Sequence, residues 1–312
     1  ATFAIWRDTP IEDRTALLTA LADAYHDNRH RLARMATLEM GKTLKSALAE
    51  VDKCVAAFRH YAKEGPAMLE GGSITLSSGG KADLVWLPIG AVLAVMPWNF
   101  PYWQVVRFLA PCILAGNVGL LKHASNVQGV AALMQEMMDA AGAPNGLFQN
   151  LPIRSDAVAA IIADDRVAAV TLTGSEGAGR AVAEQAGRAL KKVVLELGGS
   201  DPFIVMPSAD IDAAVDQAVT ARIQNTGQSC ICGKRMIVHA DIYDAFLERY
   251  SAAMAAVKAG DPFAEDSDMG PLSSAEQRRS VLDQIETMKA AGATLIGGEA
   301  ATGPGAYMQA GI

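Results

Sequence analysis

The chain has 312 residues, 51% of them apolar, and a formal net charge of −7. That length and apolar share suit a globular protein with a core large enough for two domains. The acidic balance argues against a nucleic-acid or anionic-membrane surface, and no apolar run is long enough to cross a bilayer. The four cysteines do not make a secreted disulfide framework, and the start, Ala1 to Arg7, lacks the pattern of a signal peptide, so a cytoplasmic location is expected. Both ends read as cut. There is no initiator methionine, and the chain stops just after a Gly/Pro-rich loop at residues 297–305.

Residues 11–63 carry a helical pattern, with Leu17, Leu18, Leu21, Ala24 and Tyr25 recurring at three- and four-residue steps. Met40-Gly41-Lys42 interrupts it. It resumes over residues 50–62 with Val51, Cys54, Val55 and Phe58 on one face, which predicts that Cys54 is core. Residues 71–90 change to apolar positions separated by Ser, Gly and Lys, predicting a β-hairpin or a pair of extended strands. Ala91 to Met96 is a continuous apolar run ended by Pro97, as a strand buried on both faces would be. Residues 118–122 and 167–172 repeat that form, with helical stretches at 103–115, 128–141 and 156–163 between them. Further strands are predicted at 192–196, 203–206 and 235–239, and further helices at 180–190 and 211–224. Strand alternating with helix predicts an α/β, doubly wound parallel sheet.

Several residues at the predicted strand ends can carry chemistry. Cys230 lies on the short polar turn Asn225-Thr226-Gly227-Gln228-Ser229-Cys230-Ile231-Cys232. A thiolate there can attack a carbonyl carbon; the rival is a small buried hydrophobe. Thr173-Gly174-Ser175-Glu176-Gly177-Ala178-Gly179 opens a helix, whose free N–H groups can hold a phosphate or merely make a turn. Glu196, ahead of Gly198 and Gly199, is a general base if partly desolvated, or a solvated strand-end carboxylate. Asn99, between Pro97 and Pro101, is an oxyanion donor or a turn asparagine. Lys122 can reach ribose hydroxyls or face water.

In order and spacing, the residues 97–101, 174–179, 195–199 and 225–230 resemble the aldehyde dehydrogenase superfamily. Lys122-His123-Ala124 and residues 197–205 are similar to the bacterial succinate-semialdehyde dehydrogenases. The resemblance implies a dinucleotide-binding domain at 1–70 and 89–197, an oligomerisation β segment at 71–88 and a catalytic domain at 198–312. It implies that Cys230 forms a thiohemiacetal and then a thioester, that the Asn99 amide and the Cys230 N–H hold the oxyanion, and that Glu196 activates the hydrolytic water. Lys122 would touch the adenosine ribose. Gly174, Ser175 and Gly179 would hold the pyrophosphate, and Trp98 would lie by the cofactor. The family's second cofactor glutamate and its last oligomerisation strand are not in this sequence.

The resemblance also implies a substrate site. Arg107 matches one of two arginines that take a distal carboxylate, while the second position is Gln224 here. Trp103 and Gln104 would line the same tunnel, and Arg107 would repel a cationic aldehyde. The expected reaction is NAD(P)-dependent oxidation of an acidic aldehyde, foremost succinate semialdehyde. Glutarate semialdehyde, glyceraldehyde 3-phosphate and a non-catalytic binding protein are the alternatives. Ser125 stands where NAD-preferring relatives carry a glutamate, which points to NADP with NAD also used. Cys230 and Cys232 form a pair expected to oxidise reversibly. No nearby Cys/His pair completes a metal site with them. A homo-oligomer, dimer or tetramer, is the expected assembly.

Overall fold

The apolar run beginning at Ala91 becomes the middle strand of a five-stranded sheet. The computed structural model describes residues 1–301 and 305–312 and has two compact units, Ala1–Ala33 with Leu48–Leu197 and Arg34–Ala47 with Gly198–Ile312. Part of the predicted 297–305 loop (Thr302, Gly303, Pro304) thus lies outside the described residues.

The chain opens with helices α1 (Thr2–Trp6), α2 (Ile11–Asp27), α3 (Arg29–Met40) and α4 (Leu44–Met68). Leu17, Leu18, Leu21 and Tyr25 are buried on α2 and Cys54 on α4, as their spacing predicts, whereas Ala24 is half-buried and Ala22 is buried instead. The sequence reading keeps residues 1–70 together, but residues 34–47 group with the second unit. There the Leu44 N–H donates to the Pro262 carbonyl at 2.8 Å. Gly41, at φ +83°, lies so close to Pro271 that a Cβ would come within 2.9 Å of it.

In the first unit, strands β1 (Gly72–Thr75) and β2 (Lys81–Leu84) pair antiparallel as the predicted hairpin. Then come β3 (Ala91–Val95), α5 (Trp103–Leu114), β4 (Val118–Lys122), α6 (Gln128–Ala140), β5 (Phe148–Asn150), α7 (Val158–Ala163), β6 (Val167–Thr173), α8 (Glu176–Arg188) and β7 (Lys192–Glu196). The sheet order is β5-β4-β3-β6-β7, all parallel. β3 is buried because helices cover both faces of such a sheet. Pro97, which has no N–H to donate, lies two residues past its end. Leu93, Ile162, Val170, Leu172 and Ala186 centre the core on one side, and α5 buries Val105, Val106, Leu109, Ala110 and Ile113.

The second unit holds β8 (Asp201–Val205), α9 (Ile211–Ile223), β9 (Gly233–Val238), α10 (Tyr243–Ala255) and α11 (Ala275–Ala290). β8 and β9 are parallel, and Val205, Val215, Ala218, Phe246 and Tyr250 form its core. Asp210 caps α9 by accepting the N–H groups of Asp212 and Ala213.

Candidate active site

In the first unit, the register brings the motif residues to one edge. Val95 of β3 is level with Lys122 of β4 and Leu172 of β6, and Thr173 is level with Glu196 of β7. The chain leaves β3 towards β4 and β5, then returns to β3's other side with β6 and β7. In open α/β sheets, ligands bind outside the carboxyl ends of the strands at such a reversal. Residues 97–101, Lys122, Gly174 and Glu196 all sit there.

The Asn99 loop is fastened from two sides. Buried Glu50 accepts the N–H groups of Tyr102 (2.8 Å) and Trp103 (2.9 Å), two of the free donors at the start of α5. His123, 0% exposed, accepts the Ala124 N–H at Nδ1 (2.9 Å), so its Nε2–H donates to the Pro101 carbonyl (2.9 Å). Burial, helped by the Lys122 charge, lowers the His123 pKa to about 4 against the pull of the Pro101 and Met96 carbonyls. The Asn99 Oδ1 accepts the Phe100 N–H at 3.0 Å. Its oxygen is committed to backbone, and the NH₂ is the end suited to an oxyanion. Neither Glu50 nor the bonding of His123 is foreseen from sequence. A carboxylate on a helical stripe otherwise made of core residues is the signal that could have marked Glu50.

Helix α8 starts at Glu176, earlier than the predicted Arg180, so the glycine-rich run is itself the helix N-terminus. Ser175 caps it, its Oγ accepting the Ala178 N–H at 3.3 Å. The roles within the run need correcting. Gly179 is buried against Leu197, where a Cβ would come within 2.6 Å of Cδ2, so it serves helix–strand packing. Gly177 is exposed with nothing near its missing Cβ, and it leaves the helix end open to a phosphate. Gly174 donates its N–H to the Glu196 carbonyl at 3.0 Å. Lys122 is half-buried and burial lowers its pKa, while Ser125 is exposed.

Arg107 and Glu196 are brought together. The Arg107 guanidinium lies 3.4 Å from the Glu196 carboxylate and donates to the Thr173 hydroxyl at 3.1 Å. Of the two readings of Glu196, a partly desolvated base or a solvated strand-end carboxylate, its 55% side-chain exposure favours the second. β7 is the edge strand of the sheet, and its last residue is exposed. Trp98 is half-buried on the Asn99 loop, Trp103 is half-buried under the Lys53 ammonium (4.0 Å to the ring centroid), and Gln104 is buried.

In the second unit, Cys230 is half-buried and Cys232 is fully buried; both are free thiols. Lys234 on β9 donates to the carbonyls of Cys230 (3.0 Å) and Gly199 (2.6 Å), tying the cysteine loop to the start of β8. Gln224 caps the end of α9 and is exposed. A cavity of about 550 Å³ in this unit, lined by Met254, Asp261, Tyr307 and Gln309 among others, does not include these residues.

The sequence matches the model of the aldehyde dehydrogenase family over residues 1–312. The chain belongs to the aldehyde dehydrogenase family. It is 51% identical over 306 residues to succinate-semialdehyde dehydrogenase [NADP(+)] 1 of Mycobacterium tuberculosis, covering 97% of this chain and 67% of that enzyme. It is 50% identical over 308 residues to the succinate-semialdehyde dehydrogenase [NADP(+)] of Mycobacterium leprae, covering 98% and 67%. Among solved structures, succinic semialdehyde dehydrogenase from Streptococcus pyogenes, in complex with NADP+, superposes with a TM-score of 0.96. That pair shares 39% identity over 99% of this chain and 68% of the other. The doubly wound reading of the sheet is therefore the aldehyde dehydrogenase fold, spanning about two thirds of these relatives' length.

The first unit fits a nicotinamide dinucleotide on its own residues. An open, capped helix N-terminus suits a pyrophosphate. Among the described residues Lys122 makes no ion pair, and at the end of β4 it can meet an anion or hydroxyl. The β4–α6 turn, residues 123–127, holds no carboxylate, so nothing in it repels a ribose 2′-phosphate. Among the described residues no helix is long and apolar enough to cross a membrane.

Proposed function

We propose that this aldehyde dehydrogenase oxidises succinate semialdehyde to succinate with NADP as the preferred acceptor and NAD as a second one. The observation that carries the reading is the guanidinium of Arg107 at the carboxyl edge of the sheet, beside Glu196 and bonded to the Thr173 hydroxyl. A fixed cation among catalytic-type groups selects an aldehyde that carries a carboxylate. The relatives that are named succinate-semialdehyde dehydrogenases support it.

In this reading the Cys230 thiolate adds to the aldehyde carbon, forming a C–S bond and an alkoxide. The Asn99 NH₂ and the Cys230 N–H stabilise that alkoxide without protonating it. NADP, when bound, accepts the hydride whose departure leaves a thioester on Cys230. Glu196 then takes a proton from water as its oxygen attacks the thioester carbon, and the thiolate leaves. Arg107 holds the distal carboxylate, with Trp103 and Gln224 beside the substrate. Lys122, Ser125, Gly174, Ser175 and Trp98 attend the cofactor. Residues 1–33 and 48–197 act as the dinucleotide-binding unit, and 198–312 supply the nucleophile. A cytoplasmic location fits a thiol that must stay reduced. Ile74, Leu84, Val85, Trp86 and Leu87 are exposed on and beside the hairpin, and we assign that face to a homo-oligomer.

The test is reduced-nicotinamide absorbance with succinate semialdehyde, NADP or NAD, and wild-type or Cys230→Ala protein. Turnover that survives Cys230→Ala, or a neutral aldehyde of equal length used as well as succinate semialdehyde, would sink the reading.

A further inference from the structure

Three consecutive residues just before Cys230 have left-handed backbones: Asn225 (φ +55°), Thr226 (φ +57°) and Gly227 (φ +71°). Glycine adopts this freely and asparagine tolerates it, but for β-branched Thr226 it costs on the order of 1–2 kcal/mol. Such a turn persists only where its surroundings over-determine it. Its own backbone bonds are few: Gly227 N–H to the Ile223 and Gln224 carbonyls, and Gln228 N–H to the Asn225 carbonyl.

Further restraint comes from the side chain of Gln228. The Gln228 Nε2 donates to the Asn225 carbonyl at 3.3 Å, and the Asn225 Nδ2 returns a bond to the Gln228 carbonyl at 3.3 Å. At its other end the Gln228 Oε1 accepts the Ser273 N–H at 3.0 Å. One amide therefore closes the strained turn and ties it to the segment ahead of α11. Thr226 adds a longer bond, 3.5 Å, to the Gly270 carbonyl in the same segment.

We propose that Gln228 is the positioning residue for the nucleophile: its amide holds the left-handed turn against the loop at residues 270–273 and so fixes where the Cys230 sulfur points. The inference rests on the reading that Cys230 attacks the aldehyde. A group displaced by about 1 Å from its attack position can lose about a hundredfold in rate without losing substrate affinity. In this role Gln228 acts through the turn that it holds, so its loss should appear in kcat and not in KM.

The experiment compares wild type, Gln228→Leu and Gln228→Glu in the natural full-length protein. Glutamate keeps the acceptor for Ser273 and loses the donor to Asn225; leucine loses both. Steady-state kinetics are read beside hydrolysis of 4-nitrophenyl acetate, which reports the thiol without cofactor, and beside the thermal midpoint. For Gln228→Leu we expect kcat and ester hydrolysis to fall at least about fivefold, with both KM values within about twofold and a midpoint near wild type. Gln228→Glu should lie between. A smaller fall in kcat, or a fall matched by rising KM and a collapsing midpoint, overturns the proposal. If Gln228→Leu does not fold, Gln228→Glu carries the test, and a fall in its kcat of less than about twofold overturns the proposal. Cys230→Ala separates the two failures: activity surviving there refutes the nucleophile reading itself, whereas activity lost there but kept in the Gln228 variants refutes only this inference.

Discussion

His123 should make the first unit acid-labile, and the size of the effect follows from its burial. The imidazole has an ordinary pKa of 6.5 and is held at about 4 in the fold. Between those values the unfolded chain binds a proton that the native chain does not, so stability falls as pH falls. The loss from this one group relative to pH 7.5 is about 1.3 kcal/mol at pH 5.5 and about 2.5 kcal/mol at pH 4.5, levelling off below the folded value. The main cause is burial of the ring, which disfavours its charged form. A proton on Nδ1 would face the Ala124 N–H that it now accepts, and the Met96 carbonyl at 3.3 Å compensates only in part. His123→Gln removes the titration while keeping a donor able to reach Pro101. Urea unfolding of both proteins at pH 7.5, 5.5 and 4.5 isolates the term, because every other titrating group is common to them. The variant should start less stable at pH 7.5 and lose about 2.5 kcal/mol less than wild type by pH 4.5. Parallel losses, within about 0.5 kcal/mol, would refute the link between burial at this site and acid lability.

Arg107→Ala should raise KM for succinate semialdehyde about ten- to a hundredfold, the worth of a charge-assisted bond, and leave KM for a neutral aldehyde nearly unchanged; initial-rate kinetics with both aldehydes decide it. Ser125→Glu places a carboxylate in the β4–α6 turn and should raise KM for NADP about tenfold or more while sparing NAD, because the added charge meets only the 2′-phosphate; equal effects on the two cofactors would count against that turn as the ribose site. Peroxide should inactivate the wild type, with recovery in dithiothreitol, through a bond between Cys230 and Cys232. The Cys232 sulfur is now buried and directed at the Gln224 carbonyl (3.7 Å), so the loop must turn for the bond to form. Cys232→Ala should lose the recovery, and unchanged recovery would rule out the pair.

Much of the α/β alternation was legible because β3, β4 and β6 are continuous apolar runs bounded by Pro, Gly or polar residues, a pattern that reports burial directly. β5 escaped notice because its three residues sit on an edge and carry only one buried side chain, Phe148. α11 escaped because none of its residues is buried, so its helical period leaves no apolar stripe. Motif residues could be named, but their duties could not. Gly179 and Gly177 look alike in sequence, and only the position of Leu197 shows which is for packing and which is open. The exposure of Glu196 could not be decided, because sequence order does not say that its strand is the last in the sheet. The Gln228 bridge was invisible for a related reason: its partner Ser273 is distant in sequence, and the bond is to a backbone N–H that every residue but proline carries.

The Arg107–Glu196 pair bears on whether one residue can grip a substrate while its neighbour serves as a base. Glu196 is more than half exposed and the separation is 3.4 Å, so the pair belongs with surface ion pairs worth about 0–1 kcal/mol. A substrate carboxylate offering two oxygens to the guanidinium gains about 1.5–3 kcal/mol from charge-assisted bonds, enough to displace a single long contact. The Thr173 hydroxyl, also bonded to Arg107, stays as a fixed second partner through that exchange and keeps the guanidinium at the sheet edge. Thr173→Val removes that partner without changing charge. It should therefore raise KM for succinate semialdehyde several-fold and leave turnover of a neutral aldehyde alone; an equal rise for both aldehydes would mean that Thr173 supports the sheet edge and not the arginine.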